Sequence, residues 1–123
     1  MNLSKALDYI NSHNLTGIKA GKNREKFLNI WMVTVGNRIF ARSWGFAERS
    51  WYNTFLTDPM GEIQCGDEVF NIKAEIPHDL KELNSFIDQA YLTKYDSGDN
   101  SPYAQGIIQK EHAEKTMEII VLE

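Results

Sequence analysis

Lys22, Arg24 and Lys26 fall in one polar loop, Arg42 and Ser43 close a strand-like run, and Arg49 precedes a helix start at Ser50. Brought together, these residues offer charge, a hydroxyl and helix-terminal amides, which is what a phosphate requires. Charge-assisted hydrogen bonds contribute about 1.5–3 kcal/mol each, so two or three suffice to anchor one. The plainer alternative is a set of solvated surface cations, with Arg42 extending its stem from a barrel rim. Arg42 poses the sharper question. Residues two apart on a strand share a face, so Arg38, Phe40, Arg42 and Trp44 line up together. A guanidinium among aromatics needs an anionic partner, because burying it unpaired costs several kcal/mol.

Trp31, Trp44, Trp51 and Tyr52 could give a flat apolar wall for a conjugated ring, or serve as core. Trp31, inside an apolar run, reads as core; Trp44 and Trp51 flank a loop and suit either role. His13, His78 and His112 share no metal-ligand spacing, so no metal is expected, and His112 reads as part of a charged turn with Glu111 and Glu114. Cys65 has no cation nearby in sequence and reads as packing. Tyr91, Lys94 and Tyr95 share a helix face, which allows a lysine-tuned tyrosine acid but favours Tyr91 packing on the sheet. No side chain stands out as a catalytic acid, base or nucleophile.

The elements that must position these groups follow from periodicity and breaks. Ser4 is placed to cap a first helix with the stripe Leu3, Leu7 and Ile10, ending near Asn14. A short strand over 15–20 is followed by the basic loop and by a strand over 27–35 that is apolar on both faces. Gly36-Asn37 turns that strand into a partner over 38–44. Ser50 caps a helix over 51–57 that Asp58-Pro59 stops. A second hairpin pairs 62–65 with 68–76 around Gly66-Asp67. Asp79 and Glu82 suggest a capping box for a helix over 80–95. A short helix over 101–108 and a final strand over 118–122 complete an α+β barrel of one domain, residues 1–123.

Bulk properties narrow the function classes. The net charge is −4, yet residues 19–49 hold seven cations against two glutamates, a local +5 that leaves −9 elsewhere. Such a distribution favours a local anion site and argues against nucleic acid. One cysteine among 123 residues permits no internal disulfide, and the start lacks a signal-peptide core. A membrane span is excluded by the brevity of Ile30-Trp31-Met32-Val33, so the expected setting is the cytoplasm.

The order of Lys22-Asn23-Arg24, the apolar strand, Arg38–Gly45, Ser50-Trp51-Tyr52-Asn53 and Asp58-Pro59 resembles the deazaflavin-dependent nitroreductase-like proteins of the FMN-binding split-barrel class. Arg42-Ser43-Trp44, the Trp51-Tyr52 pair and Ala90-Tyr91-x-x-Lys94-Tyr95 are similar to a small uncharacterised bacterial domain family. The resemblance spans roughly 15–122. It implies a six-stranded split β-barrel with three or four peripheral helices, a homodimer, and a groove near the subunit interface for FMN or a deazaflavin. By position, Lys22, Arg24, Arg42, Ser43 and Arg49 would meet the cofactor phosphate, while Trp44 and Trp51 would border the ring. Glu25 in the basic loop and the bulk of Trp44 depart from the nitroreductase-like pattern. The expected function is therefore hydride or electron transfer with a bound nucleotide. The alternative is a cofactor-free module on the same fold that binds a small anion or serves a structural or interaction role.

Overall fold

A computed structural model describes residues 1–21, 24–45 and 50–123. Seven antiparallel strands form one sheet in the order β2-β1-β5-β6-β7-β4-β3. They are β1 (Thr16–Ala20), β2 (Leu28–Ile30), β3 (Val33–Val35), β4 (Arg38–Arg42), β5 (Met60–Cys65), β6 (Glu68–Glu75) and β7 (Thr116–Val121). The helices are α1 (Asn2–Ser12), α2 (Trp51–Thr57), α3 (Leu80–Tyr95), α4 (Ser101–Ile107) and α5 (Lys110–Ala113), with a 3₁₀ turn at Gly98–Asn100. Five α-helices among the described residues exceed the three or four expected, because the segment before β7 holds the additional four-residue α5.

The strand count also differs from six, for one local reason. The expected strand over 27–35 is divided at Trp31-Met32 into β2, which pairs with β1, and β3, which pairs with β4. These halves form the two edges of the sheet. Three residue steps span at most about 11 Å, so the sheet must curl until its edges nearly meet. The result is a curled, split-barrel-like sheet.

The division is stabilised from α3. The Met32 carbonyl accepts from Lys94 Nζ at 2.7 Å and from the Tyr95 hydroxyl at 3.3 Å. Lys94 also donates to the Ile10 carbonyl at 2.6 Å, and Tyr95 to that of Asn14 at 2.7 Å. The Trp31 ring lies on that of Tyr95, with centroids 4.0 Å apart and planes 5° from parallel. Tyr95 thus covers one residue of the break and bonds the other.

Two cores result. Inside the curl, Ile18, Ile39, Ile63, Ile72 and Met117 pack with Phe55 of α2 and Ile10 of α1. Outside it, Val33 and Phe40 meet Ile87, Tyr91 and Tyr95 of α3 and Ile107 of α4. On β6, Phe70, Ile72 and Ala74 are buried alternately, as a sheet with one covered face requires. On β4, Ile39 through Arg42 are all buried, because α3 and α4 cover its outer face.

Several boundaries follow the sequence and several do not. Ser50 caps α2, its Oγ accepting from the Asn53 amide at 3.2 Å. Gly36, at φ +61°, makes the β3–β4 turn through a conformation that glycine tolerates. Ser4, by contrast, lies inside α1 and donates to the Met1 carbonyl. The amides of Asn2 and Leu3 are satisfied instead by the Glu123 carboxylate, at 3.1 and 2.9 Å. Asp79 does precede α3 but makes no capping bond. Its carboxylate is taken by the Arg38 guanidinium at 2.9 and 3.0 Å, which also reaches Glu118 at 2.8 Å. That pairing holds the Asp79 carboxyl low, at about 2. β4 ends at Arg42 rather than Trp44, and the last strand begins two residues earlier than expected, at Thr116.

Burial lowers the Lys94 ammonium from its ordinary 10.5 to about 8. The unfolded chain therefore binds more protons than the folded one between these values, and stability from this group rises with pH across that window. Tyr91, pushed up to about 12 by burial, acts in the opposite direction above pH 10. Relative to Lys94→Met, the wild type should gain about 1–2 kcal/mol from pH 8 to pH 10 after allowance for solvent screening. Urea unfolding of both proteins across that range measures it; a constant difference would place Lys94 in solvent.

Candidate functional site

A cleft of about 670 Å³ opens between β2, the end of β4, the start of α2 and α4. Arg24, Arg42, Ser43, Trp44 and Trp51 of the sequence-derived set all line it, together with Ser50. Lys22 and Arg49 lie outside the described residues. Leu28, Ile30, Trp31, Tyr103 and Ile107 make the rest of the lining largely apolar. No described lining residue is a carboxylic acid, and its charged residues are Arg24 and Arg42. The sequence had not singled out Tyr103 or Ile107.

The two lining arginines are held differently. Arg24 donates to the Thr54 hydroxyl of α2 at 3.0 Å. Arg42 has a fully buried side chain and is bound on every side. Its guanidinium pairs with Asp88, reaches the Thr116 hydroxyl at 3.2 Å and touches the carbonyls of Asn84 and Ile107. Its own amide donates to the Tyr91 hydroxyl at 2.8 Å. Asn84, Asp88 and Tyr91 are spaced i, i+4 and i+7, so one face of α3 provides this socket. Arg42 is therefore neither a rim charge nor an arginine awaiting an external anion. Its partner is on α3.

Ser43 is buried, and its hydroxyl donates to the Gly45 carbonyl at 2.7 Å. The Ser43 carbonyl accepts from His112 Nδ1 at 3.0 Å, so that nitrogen carries a proton. Trp44 is the exposed aromatic of the set, with half its surface open. Its indole is stacked on the His112 ring at 4.7 Å and 6°, and meets Tyr103 edge-on at 5.9 Å. It consequently forms a wall of the cleft. Trp51 is 5% exposed and belongs to the inner core, with its ring edge-on to Phe55. Trp31, read from sequence as core, is partly buried and contributes to both the Tyr95 stack and the cleft.

Other candidates are chemically quiet. Burial pushes the Cys65 thiol up to about 11, assisted by Glu68, so little thiolate exists at neutral pH. Tyr91 gives its oxygen to the Arg42 amide and is fully enclosed. His112 is buried rather than part of an exposed charged turn. The sequence signal for the Trp44 wall was Gly106, a glycine within α4 whose absent Cβ leaves room for the indole. Among the described residues, no group of histidine, cysteine and acidic side chains could hold a metal ion.

The Arg42 socket gives a measurable consequence. Asp88→Ala leaves the guanidinium enclosed without its carboxylate and should destabilise the fold by about 3 kcal/mol. Urea unfolding decides it: a loss below about 1 kcal/mol would be that of an exposed pair.

Three comparisons bear on this arrangement. Residues 6–119 match a family described as "Uncharacterized protein conserved in bacteria", DUF2255. No curated protein matches the sequence. Among solved structures, a conserved hypothetical protein from Mycobacterium tuberculosis superposes with a TM-score of 0.58 at 14% identity, over 99% of this chain and 80% of that one. A putative pyridoxamine 5'-phosphate oxidase from Listeria innocua gives 0.59 at 12% identity, over 99% and 93%. At these identities the likeness is one of fold.

Proposed function

We propose, for a chain that belongs to the DUF2255 family of uncharacterised bacterial proteins, that its cleft binds a flavin or deazaflavin nucleotide in the service of hydride or electron transfer. The observation that carries the proposal is the lining itself: a half-exposed indole and an arginine in a largely apolar cleft without a described carboxylate. Its volume of about 670 Å³ suits a ligand of that size. The solved neighbour named as a putative oxidase of pyridoxamine 5'-phosphate supports an oxidoreductase reading through its fold.

The bound nucleotide would supply the redox chemistry, and the protein its binding and orientation. In this reading Arg24 faces the phosphate, with Lys22, two residues before it, and Arg49, just before α2, as the further cations of the basic segment 19–49. Trp44 orients the ring, while Trp51, Ile30 and Ile107 exclude water from one side. Arg42 acts through position: its bonds to α3 and β7 fix the strand end from which Ser43 and Trp44 extend. A homodimer forms part of the proposal, supported by Leu28, Trp44 and Tyr103, each about half exposed where they line the cleft.

A second reading is a cofactor-free module that takes a small anion or a partner surface. It is favoured by the internal bonding of Arg42 and Ser43, which leaves fewer phosphate donors than the sequence suggested. Titration of FMN and of a deazaflavin, followed by tryptophan quenching, separates the two. Saturable binding, weakened by about 1.5–3 kcal/mol in Arg24→Ala, is expected. No saturable quenching by either compound would remove the nucleotide reading.

A further inference from the structure

Gly106 sits within α4, where glycine is less favourable than alanine by about 1 kcal/mol. It is not among the glycines with positive φ, so backbone conformation gives no reason for it. The reason lies across the cleft wall. A Cβ built on Gly106 would fall 2.7 Å from Cη2 and 3.2 Å from Cζ3 of Trp44. The missing side chain is the space that the benzene edge of the indole occupies.

The indole is constrained on further sides. His112 lies parallel to it at 4.7 Å, and Tyr103 stands edge-on at 5.9 Å. His112 is itself tied through Nδ1 to the carbonyl of Ser43, the residue preceding Trp44. The orientation of the imidazole is thereby linked to the backbone that carries the indole. Trp44 nevertheless remains 50% exposed. Holding an exposed ring in one position costs side-chain entropy that burial does not fully return, whereas a ligand bound there gains from the ordering.

We infer that Gly106 and His112 are positioning residues that hold Trp44 as a fixed stacking platform, against which the cleft takes the planar ring of its ligand. The ring's identity rests on the nucleotide reading above; the platform does not. Gly106→Ala would push the indole off its seat and His112→Leu would remove its flat partner. Alanine also favours the helix, so the first variant tests the seat without threatening α4.

The test joins a ligand-free readout to two probes. In ¹H–¹⁵N spectra of the unliganded protein, the Trp44 indole Nε1–H peak, assigned by its loss in Trp44→Phe, should shift in Gly106→Ala and in His112→Leu. His112→Phe should restore it towards the wild-type position. FMN and riboflavin should each bind about fivefold more weakly to Gly106→Ala, the scale of one aromatic contact. Arg24→Ala should weaken FMN alone, since riboflavin lacks the phosphate. An unmoved Trp44 peak in Gly106→Ala would overturn the platform whether or not a flavin binds. So would unchanged affinity for both probes in a variant whose peak has moved. A wild type that binds neither probe removes the nucleotide reading, and the spectra then decide the platform separately.

Discussion

The structure depends on satisfying one backbone carbonyl, that of Met32. A seven-strand sheet whose edges are consecutive in sequence must break its chain between them, and the break removes ladder partners from Trp31 and Met32. A buried carbonyl without a partner costs roughly 1–3 kcal/mol. Lys94 and Tyr95 remove that cost, while the Tyr95 ring covers Trp31. The same lysine and tyrosine reach the Ile10 and Asn14 carbonyls, so the end of α1 is fixed to the seam as well.

One helix therefore sets both ends of the cleft. Through Lys94 and Tyr95, α3 holds the turn from which Trp31 enters the lining. Through Asn84, Asp88 and Tyr91 it holds Arg42, and so the strand end that leads to Ser43 and Trp44. The Ala90-Tyr91-x-x-Lys94-Tyr95 segment is a structural clamp first. Its polar groups are directed at the chain's own backbone rather than at solvent, which gives its tyrosines little acid–base use near neutrality.

Locally encoded elements were legible in sequence. α2 and α3 fall at 51–57 and 80–95 as read, because Ser50, Asp58-Pro59 and the polar run after Tyr95 act at short range. The split of the 27–35 run was not legible: it contains no glycine or proline, and the groups that stabilise it lie some sixty residues away. Asp79 looked like a cap because its position fits one, yet a two-bond guanidinium contact took its carboxylate. Within the candidate site, Arg24, Arg42, Ser43, Trp44 and Trp51, far apart in sequence, line one cleft. What sequence could not convey was that Arg42 already has its anion. Asp88 is one acidic residue among 17 aspartates and glutamates, and only the packing of α3 on β4 selects it.

The central claim is that the Arg24–Trp44 cleft takes a nucleotide ring and phosphate. Mapping ¹H–¹⁵N shift changes during an FMN titration tests it most directly. The account predicts saturating shifts at the Trp44 and Trp31 indoles and around Arg24, with the groove bounded by Asn11, Thr34 and Phe86 unaffected. Shifts confined to that second groove, or none that saturate, would contradict it.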